Sequence, residues 1–312
     1  MSKDGQIKTS ERLRLEPTAS LVILWSLSLY AKSSAPVRRF VGMLDLSAGE
    51  ELLRRCDEIC DWYGDVILNR KHFIKYLIER LLAESEGVEE EEKGKEEERG
   101  EKAGEKAAEG MVQIVILAAG KSPLALELLI ENPARIAKIF EVDLAGIEEK
   151  RRLYSKVAPD LVERLRCLTL DVASEDLLDR LAEEGFDRDA PAIVLMEGIS
   201  YYLSKNSLEE IVSRFRSGGR NRIIFEYLVP CSEVKADRRP IPKGVFSLIR
   251  EEAGTDGTVC YTRAELSDLF LRSGGRRVSC FDMSEMEWLR LGKNKCFCSR
   301  GDGWIEAFLG SI

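Results

Sequence analysis

The run Val112-Gln113-Ile114-Val115-Ile116-Leu117 opens onto Ala118-Ala119-Gly120, and a second run, Ile139-Phe140-Glu141-Val142-Asp143, ends on an acid. The first run is too short for an ordinary helix and rich in β-branched residues, so it reads as a strand buried on both faces. Small residues at its end let the backbone turn tightly and approach a ligand closely. A helical stretch over 125–130 separates the two runs. Strand, small-residue loop, helix and acid-tipped strand make the first half of a doubly wound nucleotide site, where the acid takes ribose hydroxyls.

Two common nucleotide loops fail on inspection. Gly120-Lys121-Ser122 ends like a P-loop, but Val115 stands where its earlier glycine is required, and the chain cannot then form the cradle of N–H groups that holds phosphates. The dinucleotide pattern G-x-G-x-x-G meets Ala118, Gly120 and Pro123 at its three glycine positions. Proline where helix and strand should pack closely argues against NAD. A nucleoside without a pyrophosphate remains, and S-adenosylmethionine fits that description.

A chain of 312 residues can bury a sizeable α/β core. Its formal charge of −8 is mostly local: residues 84–109 hold 12 Glu against five Lys or Arg. Without a basic arm or patch, nucleic-acid binding is disfavoured. The acidic segment has too few apolar residues to offset its ordering entropy and reads as a solvated linker or a frayed helix. Cys56-x3-Cys60 and Cys296-x-Cys298 lack the spacing of zinc sites, and His72 has no second histidine. We therefore expect no metal and free thiols in a reducing, cytoplasmic setting. Cys296 and Cys298 alternate about Phe297 as in a strand. The apolar stretch 21–31 resembles a signal core, yet Asp4, Glu11 and Glu16 precede it and it is too short to span a bilayer. It reads as a buried helix, with no membrane partner.

The pattern predicts three helices before the acidic segment, over 18–31, 48–63 and 70–83. Strands at 112–117, 136–142, 166–170, 192–196 and 222–227 then alternate with helices at 148–157, 174–184 and 207–215. Alternation at this spacing implies right-handed crossovers and a parallel sheet covered on both faces. Thr262 and Glu265 form a capping box at a helix start. Segments 277–283, 295–299 and 303–308 read as antiparallel strands. The resulting α/β organisation is a helical cap over 1–85, an acidic insertion over 86–110 and a doubly wound, Rossmann-like core over 111–312. Five parallel strands followed by antiparallel ones is the pattern of class I methyltransferases, with seven strands in a mostly parallel sheet.

Several pieces, in order, resemble the leucine carboxyl methyltransferase family, which includes polyketide-type O-methyltransferases of bacteria and archaea. Asn69-Arg70-Lys71-His72-Phe73-Ile74-Lys75 resembles its N-R-x-x-(F/Y)-x-R segment. Leu117-Ala118-Ala119-Gly120 stands where the family has L-G-A-G, and Phe140-Glu141-Val142-Asp143 with Lys150 matches E-V-D…K. Leu170-Asp171-Val172 matches D-(L/V), and Glu197-Gly198-Ile199-Ser200-Tyr201-Tyr202-Leu203 matches E-G-x-x-x-Y-L.

The resemblance implies an S-adenosylmethionine site. Asp143 would take the ribose hydroxyls, Asp171 the adenine amine and the Val172 N–H a ring nitrogen. Gly120 would let the methionine portion lie against the backbone, with Ala118 beside it. Lys75, aligned with the motif's arginine, or Arg70 would meet the cofactor carboxylate, and Glu197 its ammonium. Tyr202 would set a ring near the sulfonium. Structural alternatives stand beside these roles: Asp143 and Asp171 as helix caps, Glu197 as a surface acid, Tyr202 as a core aromatic.

Three departures from the family are visible. Ala118 replaces a glycine, Lys75 replaces an arginine and loses its bidentate fork, and Lys121-Ser122-Pro123 replaces D-(T/S)-R. Glycine adds unfolded-state entropy, so Ala118→Gly is expected to lower ligand-free stability by up to about 1 kcal/mol.

The expected activity is S-adenosylmethionine-dependent O-methylation of a carboxylate, on a small molecule or a protein C-terminus. A carboxylate with a pKa of about 4 is already nucleophilic at neutral pH and needs no base, consistent with the one histidine lying outside the predicted crevice. A hydroxyl acceptor would need one, with Glu226 or Tyr202 as the candidates. The alternatives are hydroxyl-directed methylation and a non-catalytic scaffold of the same fold.

Overall fold

The computed structural model describes residues 12–99, 111–255 and 257–312, with side chains omitted over 85–99. The chain begins with a short strand β1 (Leu13–Arg14), then α1 (Pro17–Tyr30), α2 (Ala35–Gly42), β2 (Leu44–Asp45), α3 (Glu50–Ile59) and α4 (Tyr63–Arg99). The core follows as β3 (Val112–Leu117), α5 (Leu124–Glu131), β4 (Ile136–Asp143), α6 (Ile147–Val157), β5 (Leu165–Thr169), α7 (Leu177–Glu183), β6 (Ala192–Met196), α8 (Lys205–Arg214) and β7 (Arg222–Leu228). Helices α9 (Pro240–Ala253) and α10 (Arg263–Arg272), strand β8 (Arg276–Phe281), helix α11 (Met283–Leu291) and strand β9 (Ile305–Ser311) complete it.

Seven strands form one sheet in the order β5-β4-β3-β6-β7-β9-β8. Every pairing from β5 to β7 is parallel, and β9 runs antiparallel to both its neighbours. This is the class I methyltransferase arrangement. Strand order reverses between β3 and β6, so a crevice opens beyond their carboxyl ends, where open α/β sheets bind ligands. All six residues of β3 are buried, as its uninterrupted apolar pattern requires.

Helix α1 contributes Leu21, Ile23, Trp25 and Tyr30 to the core and also buries Ser20 and Ser26. The helical reading of the signal-like stretch therefore holds. Helix α4 starts earlier than its apolar pattern suggested and continues through the acidic residues to Arg99. The remainder of the expected insertion, 100–110, lies outside the described residues.

The structure departs from the sequence reading at the end of the chain. Residues 295–299 are not a strand. The fully buried Glu287 carboxylate accepts the N–H groups of Lys295, Cys296 and Phe297 at 2.7–3.0 Å, so this backbone is satisfied by a side chain rather than by a neighbouring strand. Phe297 is buried and Cys298 exposed, so Cys296 and Cys298 share no inner face. The strand read over 277–283 ends at Phe281, because Asp282 and Glu285 form a capping box that starts α11. The capping box of Thr262 and Glu265 forms as expected. The eight thiols are free, but only Cys56, Cys60 and Cys167 are buried.

Candidate active site

A cavity of 470 Å³ lies at the strand switch point, floored by the loop after β3 and by Glu197-Gly198-Ile199 after β6, and roofed by α1, α4 and α9. The loop after β3 has an unusual backbone. Ala118 (φ 56°) and Gly120 (φ 51°) are both left-handed. A side chain at Gly120 would meet nothing within 4 Å, so that position faces open space rather than packed protein. Ala118 holds the same conformation without glycine's freedom, at a cost of roughly 1–2 kcal/mol.

The loop is anchored from below. Lys150, fully buried, donates to the Ala119 carbonyl at 3.3 Å and to Glu141 at 2.6 Å. Tyr154 donates to the other Glu141 oxygen at 2.9 Å. Burial raises the Glu141 pKa despite the lysine charge. Glu141 is therefore committed to holding the loop, although it borders the cavity. Asp143, at the tip of β4, accepts the Gly120 N–H at 2.7 Å and the Ala145 N–H at 3.4 Å.

Opposite the loop is a buried charge cluster. Lys71 donates to Glu197 at 2.6 Å, and Arg70 reaches Glu197 at 3.5 Å and Glu226 at 3.0 Å. Burial alone would raise the Glu197 carboxyl, but Lys71 and then Arg70 outweigh it and hold the pKa below the usual value. Glu226, on β7, also accepts the Gly198 N–H at 2.7 Å, while its second oxygen has no partner. Burial pushes it up to about 7, against the pull of Arg70. Gly198 has φ 76°, which lets the loop after β6 turn its N–H toward Glu226.

Of the residues expected at a cofactor site, the cavity gathers Arg70, Ala118, Gly120, Glu197 and Tyr202, and Asp143 joins through its bond to Gly120. Lys75 must be revised. It does not border the cavity; its ammonium sits 3.2 Å from Glu127 and 2.6 Å from Glu131, both on α5, where it ties α4 to the core. Lys121 of the loop after β3 borders the cavity, and Lys71, which the motif alignment passed over, reaches the site beside Arg70 as well. Its placement next to Arg70 on a helix that faces the sheet was the available signal.

Asp171 is exposed and its carboxylate accepts the Ala173 N–H at 2.9 Å, the turn-forming alternative to an adenine contact. Val172 is buried, and neither residue borders the cavity. His72 also lies outside it. Tyr63, Tyr201 and Trp25 border it and had no motif to mark them. Among the described residues, no group of three or more His, Cys, Asp or Glu is placed to hold a metal ion, and no helix is long and apolar enough to cross a membrane.

Residues 100–216 match the model of the family described as leucine carboxyl methyltransferase, the family that the motifs resemble. The chain superposes on a Thermobifida fusca YX protein described as a candidate methyltransferase with a TM-score of 0.60 at 16% identity, covering 95% of both chains. A magnesium protoporphyrin IX methyltransferase from Synechocystis PCC 6803, solved with S-adenosylhomocysteine, matches with a TM-score of 0.44 at 9% identity, over 84% of this chain and 94% of that one. No curated protein matches the sequence.

Proposed function

We propose that this chain, whose residues 100–216 match the leucine carboxyl methyltransferase model, transfers a methyl group from S-adenosylmethionine to a carboxylate oxygen. The family match and the class I fold support an S-adenosylmethionine-dependent methyltransferase. The carboxylate acceptor is our reading of the cavity.

The cofactor fits the residues present. Gly120 leaves open space at the crevice floor, and Asp143 retains acceptor capacity beyond its bonds to Gly120 and Ala145 for ribose hydroxyls. Glu197 and Lys71 face each other at 2.6 Å. A zwitterionic amino acid would insert between them, its ammonium on Glu197 and its carboxylate on Lys71 and Arg70, so that each buried charge exchanges one partner for another. Bound there, the cofactor supplies a methyl carbon already activated by its sulfonium. The protein then has to orient the acceptor and exclude water.

The observation that carries the carboxylate reading is the state of the titratable groups around the cavity. Glu141 and Glu197 are each paired with a lysine. Tyr63, Tyr201 and Tyr202 are all shifted up by burial and stay protonated at neutral pH. Glu226, the candidate base for a hydroxyl acceptor, has its carboxyl pushed up to about 7 but is held by Arg70 and the Gly198 N–H and does not border the cavity. The carboxylates and phenols that do border it offer no ready base, which suits an acceptor that is ionised before it binds.

Transfer of label from methyl-labelled S-adenosylmethionine, followed by mild alkali, tests the reading. A methyl ester releases the label as methanol, as proposed. Label that survives alkali indicates an ether or another linkage and overturns the carboxylate assignment.

A further inference from the structure

The deep end of the cavity contains polar atoms that have no partner. Arg70 is 4% exposed and spends its terminal nitrogens on Glu226 and Glu197, but its Nε has none. The indole Nε1 of Trp25, also buried, is unpartnered beside Tyr63, with ring centroids 5.0 Å apart. The buried Tyr201 packs at 4.9 Å against the exposed Tyr202 ring. An unmet buried donor costs on the order of 1–3 kcal/mol, so a cluster of them bordering a cavity points to a ligand with acceptor oxygens. Because burial keeps the phenols protonated, they face such a ligand as donors.

Apolar side chains lie beside this cluster: Leu21 and Val22 of α1, Ile67 of α4, and Phe246 and Ile249 of α9 line the same cavity, with Phe246 packed edge-on against Tyr201 at 5.7 Å. A second charge placed against these apolar side chains would lose its hydration.

We infer that the acceptor is an apolar monocarboxylic acid, its carboxylate received by Arg70 Nε and the Tyr63 and Tyr201 hydroxyls, its body against Leu21, Val22, Phe246 and Ile249. The inference rests on the methyl-transfer reading and names the substrate class for the same site. An anion is also favoured by the sulfonium charge that a loaded cofactor adds nearby. In the transfer, a carboxylate lone pair forms the new C–O bond to the methyl carbon. The C–S bond breaks with its pair going to sulfur, so no proton moves and no other reactant is needed.

Calorimetric titration with octanoate, phenylacetate, phenylacetamide and succinate, with and without S-adenosylhomocysteine, tests this. Octanoate and phenylacetate bind, and phenylacetamide and succinate bind at least about tenfold more weakly. Ile249→Asp weakens octanoate binding roughly tenfold without changing S-adenosylhomocysteine affinity, and the near-isosteric Val22→Thr does so by a smaller factor if the first variant does not fold. Equal binding of acid and amide, or octanoate affinity that neither wall variant alters, overturns the inference. Cofactor-product binding with no affinity for either acid refutes the substrate class and leaves the cofactor reading standing. Octanoate binding by a folded protein that shows no affinity for S-adenosylhomocysteine supports the acid-binding chamber and removes the methyl-transfer reading.

Discussion

The backbone N–H of Gly120 donates to the Asp143 carboxylate at 2.7 Å, joining the tips of β3 and β4 directly across the crevice floor. The acid assigned to ribose recognition also fixes the loop on which the rest of the cofactor would lie. Asp143→Ala removes both functions and is predicted to weaken S-adenosylhomocysteine binding by about 30- to 1000-fold. Asp143→Asn keeps an oxygen for Gly120 but gives up the charge, and should fall between the wild type and the alanine variant. Calorimetry on both variants separates the two functions; equal affinities for Ala and Asn would leave the charge without a role.

Ala118 reverses an expectation drawn from sequence. With ordinary backbone geometry, Ala118→Gly would lower stability. At φ 56°, alanine carries left-handed strain that glycine relieves. The roughly 1–2 kcal/mol of relief exceeds the about 0.4–1 kcal/mol of added unfolded-state entropy, so the variant should melt at the same or a higher temperature. A lower melting temperature without ligand would show that the methyl contributes packing that outweighs the strain.

Glu226 predicts a pH dependence. Burial raises its carboxyl from an ordinary 4.5 to about 7, so the folded chain holds a proton that the unfolded chain has lost. Stability from this group is therefore fully present below about pH 4.5 and is lost as pH rises through about 7. Glu226→Gln keeps an acceptor for Gly198 and no longer titrates. Melting curves across this range should show the variant gaining on the wild type as pH rises; parallel curves would contradict the assignment.

Two neighbouring lysines should behave differently. Lys71→Met removes the cation nearest Glu197 and should weaken S-adenosylhomocysteine binding by about tenfold or more. Lys75→Met takes the lysine from the buried Glu127 carboxylate and leaves it the Ser33 hydroxyl, which donates to it at 2.7 Å. It should cost about 1–3 kcal/mol of stability while cofactor-product affinity holds. Melting and calorimetry on both variants check the pair, and loss of affinity in the Lys75 variant would restore the assignment made from the motif.

The parallel core was legible because β3 and β6 are short, uninterrupted apolar runs bounded by small or polar residues, and both strands occur at the residues read from sequence. Gly120, Glu197 and Arg70 could be placed because strand tips and one helix carry them to a single crevice. The end of the chain resisted for a physical reason: Glu287 satisfies three backbone N–H groups from ten or fewer residues away, and no hydrophobic period reports such a contact. Helix α2, with Val37 and Phe40 buried, was also passed over, its eight residues giving too little period to register. Asp171 could not be told from a turn former by its position alone, and its bond to Ala173 is local. The cavity's aromatic lining joins residues from α1, α4 and the loop after β6, a long-range assembly without a spacing of its own.

The crevice between β3 and β6 is proposed to bind S-adenosylmethionine in the orientation set by Asp143 and Glu197. Calorimetric titration of the wild-type chain and of Asp143→Ala with S-adenosylhomocysteine tests it most directly. Saturable binding at one site per chain is predicted, weakened by about 30-fold or more in the variant. An absence of binding by the folded wild-type protein, or an affinity that Asp143→Ala leaves unchanged, would contradict it.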